Sequence, residues 1–137
     1  MEKNQQELIF KLSVFEQQIQ QLQQQLQAVE QGLIDLSSLN LGLDDFKKSE
    51  NKEIFAPIGR GIFIKAKILS ENLTVDVGGK NFVQKTIPQT KELIEEQIKK
   101  LEEIKKELGN SLEDISMELD KTMLDAKKQE KVSNTIK

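Results

Sequence analysis

The sequence contains no cysteine, histidine, tryptophan or tyrosine, and its aromatic content of 4% consists of six phenylalanines. Without cysteine there can be neither disulfides nor thiolate metal sites, which suits a reducing cytoplasm. Without histidine the commonest general base and metal ligand is missing. Aromatics this scarce do not build an ordinary compact core, so 137 residues amount to a single domain of elongated build. The start, Met1-Glu2-Lys3-Asn4-Gln5, lacks the charged-then-apolar pattern of a signal peptide. No apolar run approaches the roughly 18 residues of a membrane span. The expectation is a soluble, cytoplasmic chain with no membrane contact. Lys121 to Lys137 carries five Lys against Asp125 and Glu130, a surplus that leaves −6 for residues 1–120 within the net charge of −3. That balance and a single Arg argue against nucleic-acid binding, and the short basic end reads as a solvated, frayed terminus.

What the chain does have is a helical repeat. From Leu8 the apolar residues keep a strict 4,3 alternation through Leu12, Phe15, Ile19, Leu22, Leu26, Val29, Leu33 and Leu36. A seam that narrow, held over four heptads, predicts a coiled coil rather than the wider stripe of a globular helix. Asn40 and Leu43 continue it until Lys47-Lys48-Ser49-Glu50-Asn51-Lys52 dissolves it, placing helix 1 at about residues 5–48. Eleven Gln between Gln5 and Gln31 are phased with the Leu and form a solvated face that encodes little charge-based choice of partner.

A second helix is announced by Thr86-Ile87-Pro88-Gln89, where Thr and Gln have capping-box spacing and Pro sits in the first turn. It is expected over residues 88–130, with a tail at 131–137. Its seam of Ile94, Ile98, Leu101, Lys105, Leu108, Leu112, Ile115, Leu119, Thr122 and Ala126 is looser, and Lys105 lays its stem along the seam to reach water. Gly109-Asn110 costs about 1 kcal/mol in helix propensity and marks a soft point or bend.

Residues 53–87 read as strand. Ile54-Phe55 with Ile58, Ile62–Leu69, Leu73–Val77 and Phe82–Ile87 are short β-branched and aromatic runs. Gly59-Arg60-Gly61, Ser70-Glu71-Asn72 and Gly78-Gly79-Lys80-Asn81 separate them, which predicts two β-hairpins. Ile62, Ile64, Ala66 and Ile68 share one face, and Leu73, Val75 and Val77 oppose Thr74 and Asp76. Pro57 cannot donate to a ladder and implies an edge strand or a bulge. Strands this short cannot enclose a core. The apolar surface of Ile58, Ile62, Ile64, Ile68, Val75, Val77, Phe82 and Val83 is therefore expected to lack cover within the chain and to serve assembly. The fold class expected is mainly α with a small β part: a long antiparallel two-helix coiled coil with two β-hairpins inserted at its base.

Other motifs dissolve on inspection. Gly78-Gly79-Lys80 is no phosphate loop, because Thr74 stands where its first Gly is required and Asn81 replaces the magnesium-holding Ser or Thr. The pairs Glu95-Glu96 and Glu102-Glu103 have lysines of Lys99-Lys100 and Lys105-Lys106 three and four residues on and read as surface ion pairing. No catalytic constellation, cofactor site or metal site is expected.

The run Ala56-Pro57-Ile58-Gly59-Arg60-Gly61-Ile62-Phe63-Ile64-Lys65, then Val75-Asp76-Val77-Gly78 and Phe82-Val83-Gln84-Lys85, resembles the double-hairpin region of the prefoldin alpha-type subunit. The flanking seams resemble it as well, so the likeness covers essentially the whole chain. Lys80 stands where that family usually has a second turn Gly, and Gln84 where it usually has Glu. The abundant Lys and Glu fit an archaeal source. The resemblance implies one prefoldin-like domain over residues 1–137 and an ATP-independent holdase. In it two alpha-type and four beta-type subunits form a hetero-hexamer, hold unfolded clients at the coiled-coil tips and pass them to a group II chaperonin. Client binding is then expected at Leu8, Ile9, Phe10, Val14, Met117, Met123 and Leu124, where spare hydrophobes from both helices meet. The rival reading, a structural coiled-coil tether or scaffold subunit, needs no spare apolar residues there.

Overall fold

The computed structural model describes residues 2–135, and the side chains of residues 3–128. The elements are α1 (Glu2–Asp44), β1 (Glu53–Gly59), β2 (Ile62–Lys67), β3 (Leu73–Asp76), β4 (Phe82–Lys85) and α2 (Ile87–Thr135). The chain divides into two compact units. A chain-end unit comprises Met1–Gly32 with Leu101–Lys137, and a hairpin unit comprises Leu33–Lys100.

In the chain-end unit the 4,3 residues of α1 from Leu8 to Val29 are half-buried, while the Gln between them are exposed. On α2, Leu101, Leu108, Leu112, Ile115 and Leu119 are half-buried and Thr122 is buried. The helices are antiparallel: Glu30 lies 4.0 Å from Lys105, and a Cβ placed on Gly32 would sit 3.3 Å from Cδ1 of Leu101. The buried Thr122 hydroxyl donates to the Glu118 carbonyl at 2.8 Å, so a polar residue in the seam leaves no orphan group. α2 passes through Gly109 and Asn110 as unbroken helix and continues beyond residue 130. Seam residues on either side of the glycine, Leu108 and Leu112, are both half-buried, and this packing outweighs the propensity cost.

In the hairpin unit Leu43, Ile87 and Ile94 form the core, with Leu36, Leu73 and Ile98 packed against it. Ile87, grouped by its sequence with the fourth strand, instead opens α2 and is only 3% exposed. The reason is the cap: the Thr86 amide donates to Gln89 Oε1 at 3.1 Å and the Gln89 amide donates to Thr86 Oγ1 at 3.2 Å. α1 stops at Asp44, short of the expected residue 48. From there the Asp45, Phe46 and Lys47 amides bond three residues back, and Lys48 takes a positive φ of 59°. The Lys48 amide donates to the Glu71 carboxylate, which ties this turn to the linker between the hairpins.

β1 and β2 are antiparallel, pairing Ile54 with Ala66 and Ala56 with Ile64, and the register slips between Pro57 and Gly59. Ile58 is the extra residue, a bulge placed where proline supplies no donor. The ladder runs on past β2, since the Asn51 amide donates to the Ile68 carbonyl at 2.7 Å and the Ile68 amide to that of Lys52 at 2.9 Å. β3 and β4 pair Leu73 with Lys85, Val75 with Val83 and Asp76 with Phe82. Each hairpin is a separate two-stranded sheet. Gly79 and Lys80 both take φ 60° in the second turn, a conformation that glycine adopts freely and lysine only at a cost.

Candidate functional site

The first hairpin exposes apolar side chains on both faces. Cross-strand partners share a face, so Ile54, Ala56, Ile62, Ile64 and Ala66 line one side. Ile62 is 61% exposed and Ile58 and Ile64 are comparably open, whereas Ala66 and Ile68 are half-buried. The other face carries exposed Phe55 and Phe63 beside the Glu53–Lys65 ion pair at 3.1 Å. Neither phenylalanine figures in the assembly surface expected from the sequence, although a Phe alternating with Lys65 along that face is itself the signal.

The second hairpin differs. Leu73 and Val75 are half-buried and turn toward the helices, lining a groove of about 630 Å³ with Leu36, Leu39, Leu43 and Ile94. The expectation that Val75 lacks cover within the chain is therefore corrected: its own helices supply it in part. Val77, Phe82 and Val83 are exposed. Phe82 and its partner Asp76 fall on the face opposite Val75.

In the chain-end unit most of the apolar residues off the seam are open to solvent. Ile9 is 66% and Phe10 71% exposed, and Met117, Met123 and Leu124 are likewise exposed. Leu8 and Val14 are half-buried, on the seam side. Following the antiparallel register from Glu30/Lys105 and Gly32/Leu101 brings residues 8–15 of α1 level with about residues 118–127 of α2. Met123 and Leu124 line a shallow depression of about 230 Å³ together with Asp120 and Lys127.

Polar groups in the hairpin unit are local fasteners. Lys91 Nζ lies 2.5 Å from Asp44 Oδ1 and Lys47 Nζ lies 3.2 Å from the same atom. The hydrogen bond from Lys91, then that from Lys47, holds the Asp44 carboxyl below its ordinary value. Asn40 Oδ1, in the seam, is shut off from solvent and accepts no hydrogen bond from any described residue. Among the described residues no three His, Cys, Asp or Glu side chains gather in a way that would hold a metal. No helix among them is long and apolar enough to cross a membrane.

Residues 15–131 match the family described as "Prefoldin subunit". The chain is 29% identical over 89 residues to a curated prefoldin subunit alpha of Methanobrevibacter smithii, covering 64% of this chain and 61% of that protein. It is 33% identical over 91 residues to prefoldin subunit alpha 1 of Thermococcus kodakarensis, covering 65% and 62%. The chain thus spans about three fifths of the length of these curated relatives. Its fold is similar to that of the filamentous PFD from Methanocaldococcus jannaschii solved by cryo-EM, with a TM-score of 0.75 at 18% identity over 84% of this chain and 97% of that one.

Proposed function

The chain belongs to the prefoldin family, and from that premise we propose that it is an alpha-type subunit of an ATP-independent holdase chaperone in the cytoplasm. Its hairpins join it to beta-type subunits, two alpha with four beta, through Ile58, Ile62, Ile64 and their neighbours. Its chain-end unit grips unfolded clients through Ile9, Phe10, Met117, Met123 and Leu124, and the assembly passes them to a group II chaperonin. The observation that carries this reading is exposed apolar surface of two kinds, on the hairpins and at the chain-end unit, in a molecule whose helices already turn most of their 4,3 seam residues to cover. Apolar surface that the fold does not use marks places where another polypeptide binds. A flexible, polarizable side chain such as Met suits a surface that must accept many sequences.

Co-expression with a beta-type subunit, native mass spectrometry and suppression of aggregation of a denatured model protein test both halves. Ile64→Asp should block assembly while leaving the helical circular dichroism nearly intact. A combined Ile9, Phe10, Met123 and Leu124 to Ser variant should assemble and lose suppression. If that variant protects the client as well as the wild type does, the chain is a tether and not a holdase subunit.

A further inference from the structure

Between Glu113 and Asp125, α2 carries Glu113, Asp114, Glu118, Asp120 and Asp125 against one lysine, Lys121. These side chains are exposed, and among the described residues none of the five carboxylates is ion-paired. Steps of four, three and four put Glu113, Met117, Asp120 and Leu124 on one stripe of the helix, turned away from the seam of Leu112, Ile115 and Leu119. Spare hydrophobes and spare negative charge are therefore the same surface. α1 does not offset it: between Leu8 and Ala28 its only charges are Lys11 and Glu16.

A segment that covers Met117 and Leu124 must lie against Glu113 and Asp120. An acidic segment is repelled there, and a purely apolar one strips water from carboxylates and offers nothing in return. A Lys or Arg side chain answers both needs, laying its apolar stem on the Met and its charge on the carboxylate. We propose that the chain-end unit selects client segments in which apolar residues alternate with basic ones, a proposal that rests on the holdase reading above. Each exposed pair contributes a factor of about two to three, so a few pairs give a preference of about tenfold. It should fade toward 1 M salt, where charges are screened beyond about 3 Å.

The test titrates the assembled protein with three labelled unstructured peptides of equal length: apolar with Lys, the same apolar residues with Glu, and polar with Lys. The wild type should bind the apolar-basic peptide about tenfold more tightly than the apolar-acidic one at low salt. A variant combining Glu113→Gln, Asp114→Asn, Glu118→Gln and Asp120→Asn, checked for unchanged helical circular dichroism, should bind the two alike. Equal affinities in the wild type, or a preference that survives in the variant, overturns the selectivity and leaves the holdase reading standing. Binding of the polar-basic peptide as tight as that of the apolar-basic one also overturns it, because charge alone would then suffice. If no apolar peptide binds the wild type, the holdase reading itself falls.

Discussion

Replacing Asn40 by Leu should make the protein more stable, and its surroundings set the size of the gain. Asn40 stands in the α1 seam between Leu36 and Leu43, half-buried, with its Oδ1 closed off from solvent and unbonded. A buried acceptor left without a donor costs about 1–3 kcal/mol. Leucine removes that cost and adds apolar area to a seam already built of Leu, for a total of about 2 kcal/mol. In a chain of this size that corresponds to a rise in Tm of about 6 °C. The assay is thermal unfolding followed by circular dichroism at one fixed concentration, since association moves the midpoint by mass action. A buried seam Asn also penalises helix pairings that slip it against an apolar residue. Asn40→Leu should therefore broaden the set of oligomers seen by native mass spectrometry while raising Tm. A Tm that is unchanged or lower would show that Asn40 is satisfied in the assembled protein and would refute the argument.

Two glycines in the helices should respond differently to alanine. At Gly109 an added Cβ meets nothing within 4 Å, so Gly109→Ala should raise stability by about 1 kcal/mol, whereas at Gly32 the added Cβ meets Leu101 at 3.3 Å and the gain should be smaller. Thermal unfolding of both variants checks the order, and the reverse order refutes it. Asp44 predicts an acid dependence: its folded-state pKa lies below the ordinary 3.8 because Lys91 and then Lys47 hydrogen-bond the carboxylate. The stabilisation is complete above that ordinary value and is lost as pH falls through the lowered one. Asp44→Asn should make unfolding between neutral pH and strong acid less pH-dependent, and an unaltered acid profile would rule the contribution out.

Local chemistry was legible in the sequence, and long-range chemistry was not. The 4,3 spacing from Leu8 to Leu36 is set by helix geometry alone, and each of those side chains turns to cover. The Thr86–Gln89 cap was equally readable, because both partners lie within one turn. By contrast, residues 45–48 are compatible with helix, and what accompanies the end of α1 is a positive φ at Lys48 with its amide held by Glu71, far along the chain. Strand alternation says which residues share a face but not what covers it. That Leu73 and Val75 lie on the helices while Ile62, Phe63 and Ile64 of the first hairpin stay exposed depends on how the connecting turns aim each sheet. At the chain-end unit, seam position separates half-buried Leu8 from exposed Ile9 and Phe10, but Val14, off the strict seam, is half-buried too. A flank next to the partner helix is covered as well, and the repeat by itself cannot grade that.

The outer face of α1 indicates what this chain does where nothing is to be bound. Among the described residues from Lys11 to Leu33 it exposes no large hydrophobe and presents mainly Gln. Polar and largely uncharged, such a face favours water and does little to attract or repel a particular neighbour. A helix that only had to span distance would gain by extending that face to its ends, since each exposed apolar side chain adds an aggregation liability. Instead Ile9 and Phe10 interrupt it in the chain-end unit, and Ile34 and Leu41 interrupt it again in the hairpin unit. The interruptions fall in both units and spare the stretch between them. Two separate binding duties would distribute apolar surface in this way, one in each unit, and the Gln-rich stretch would keep an assembled coil from adhering to its neighbours.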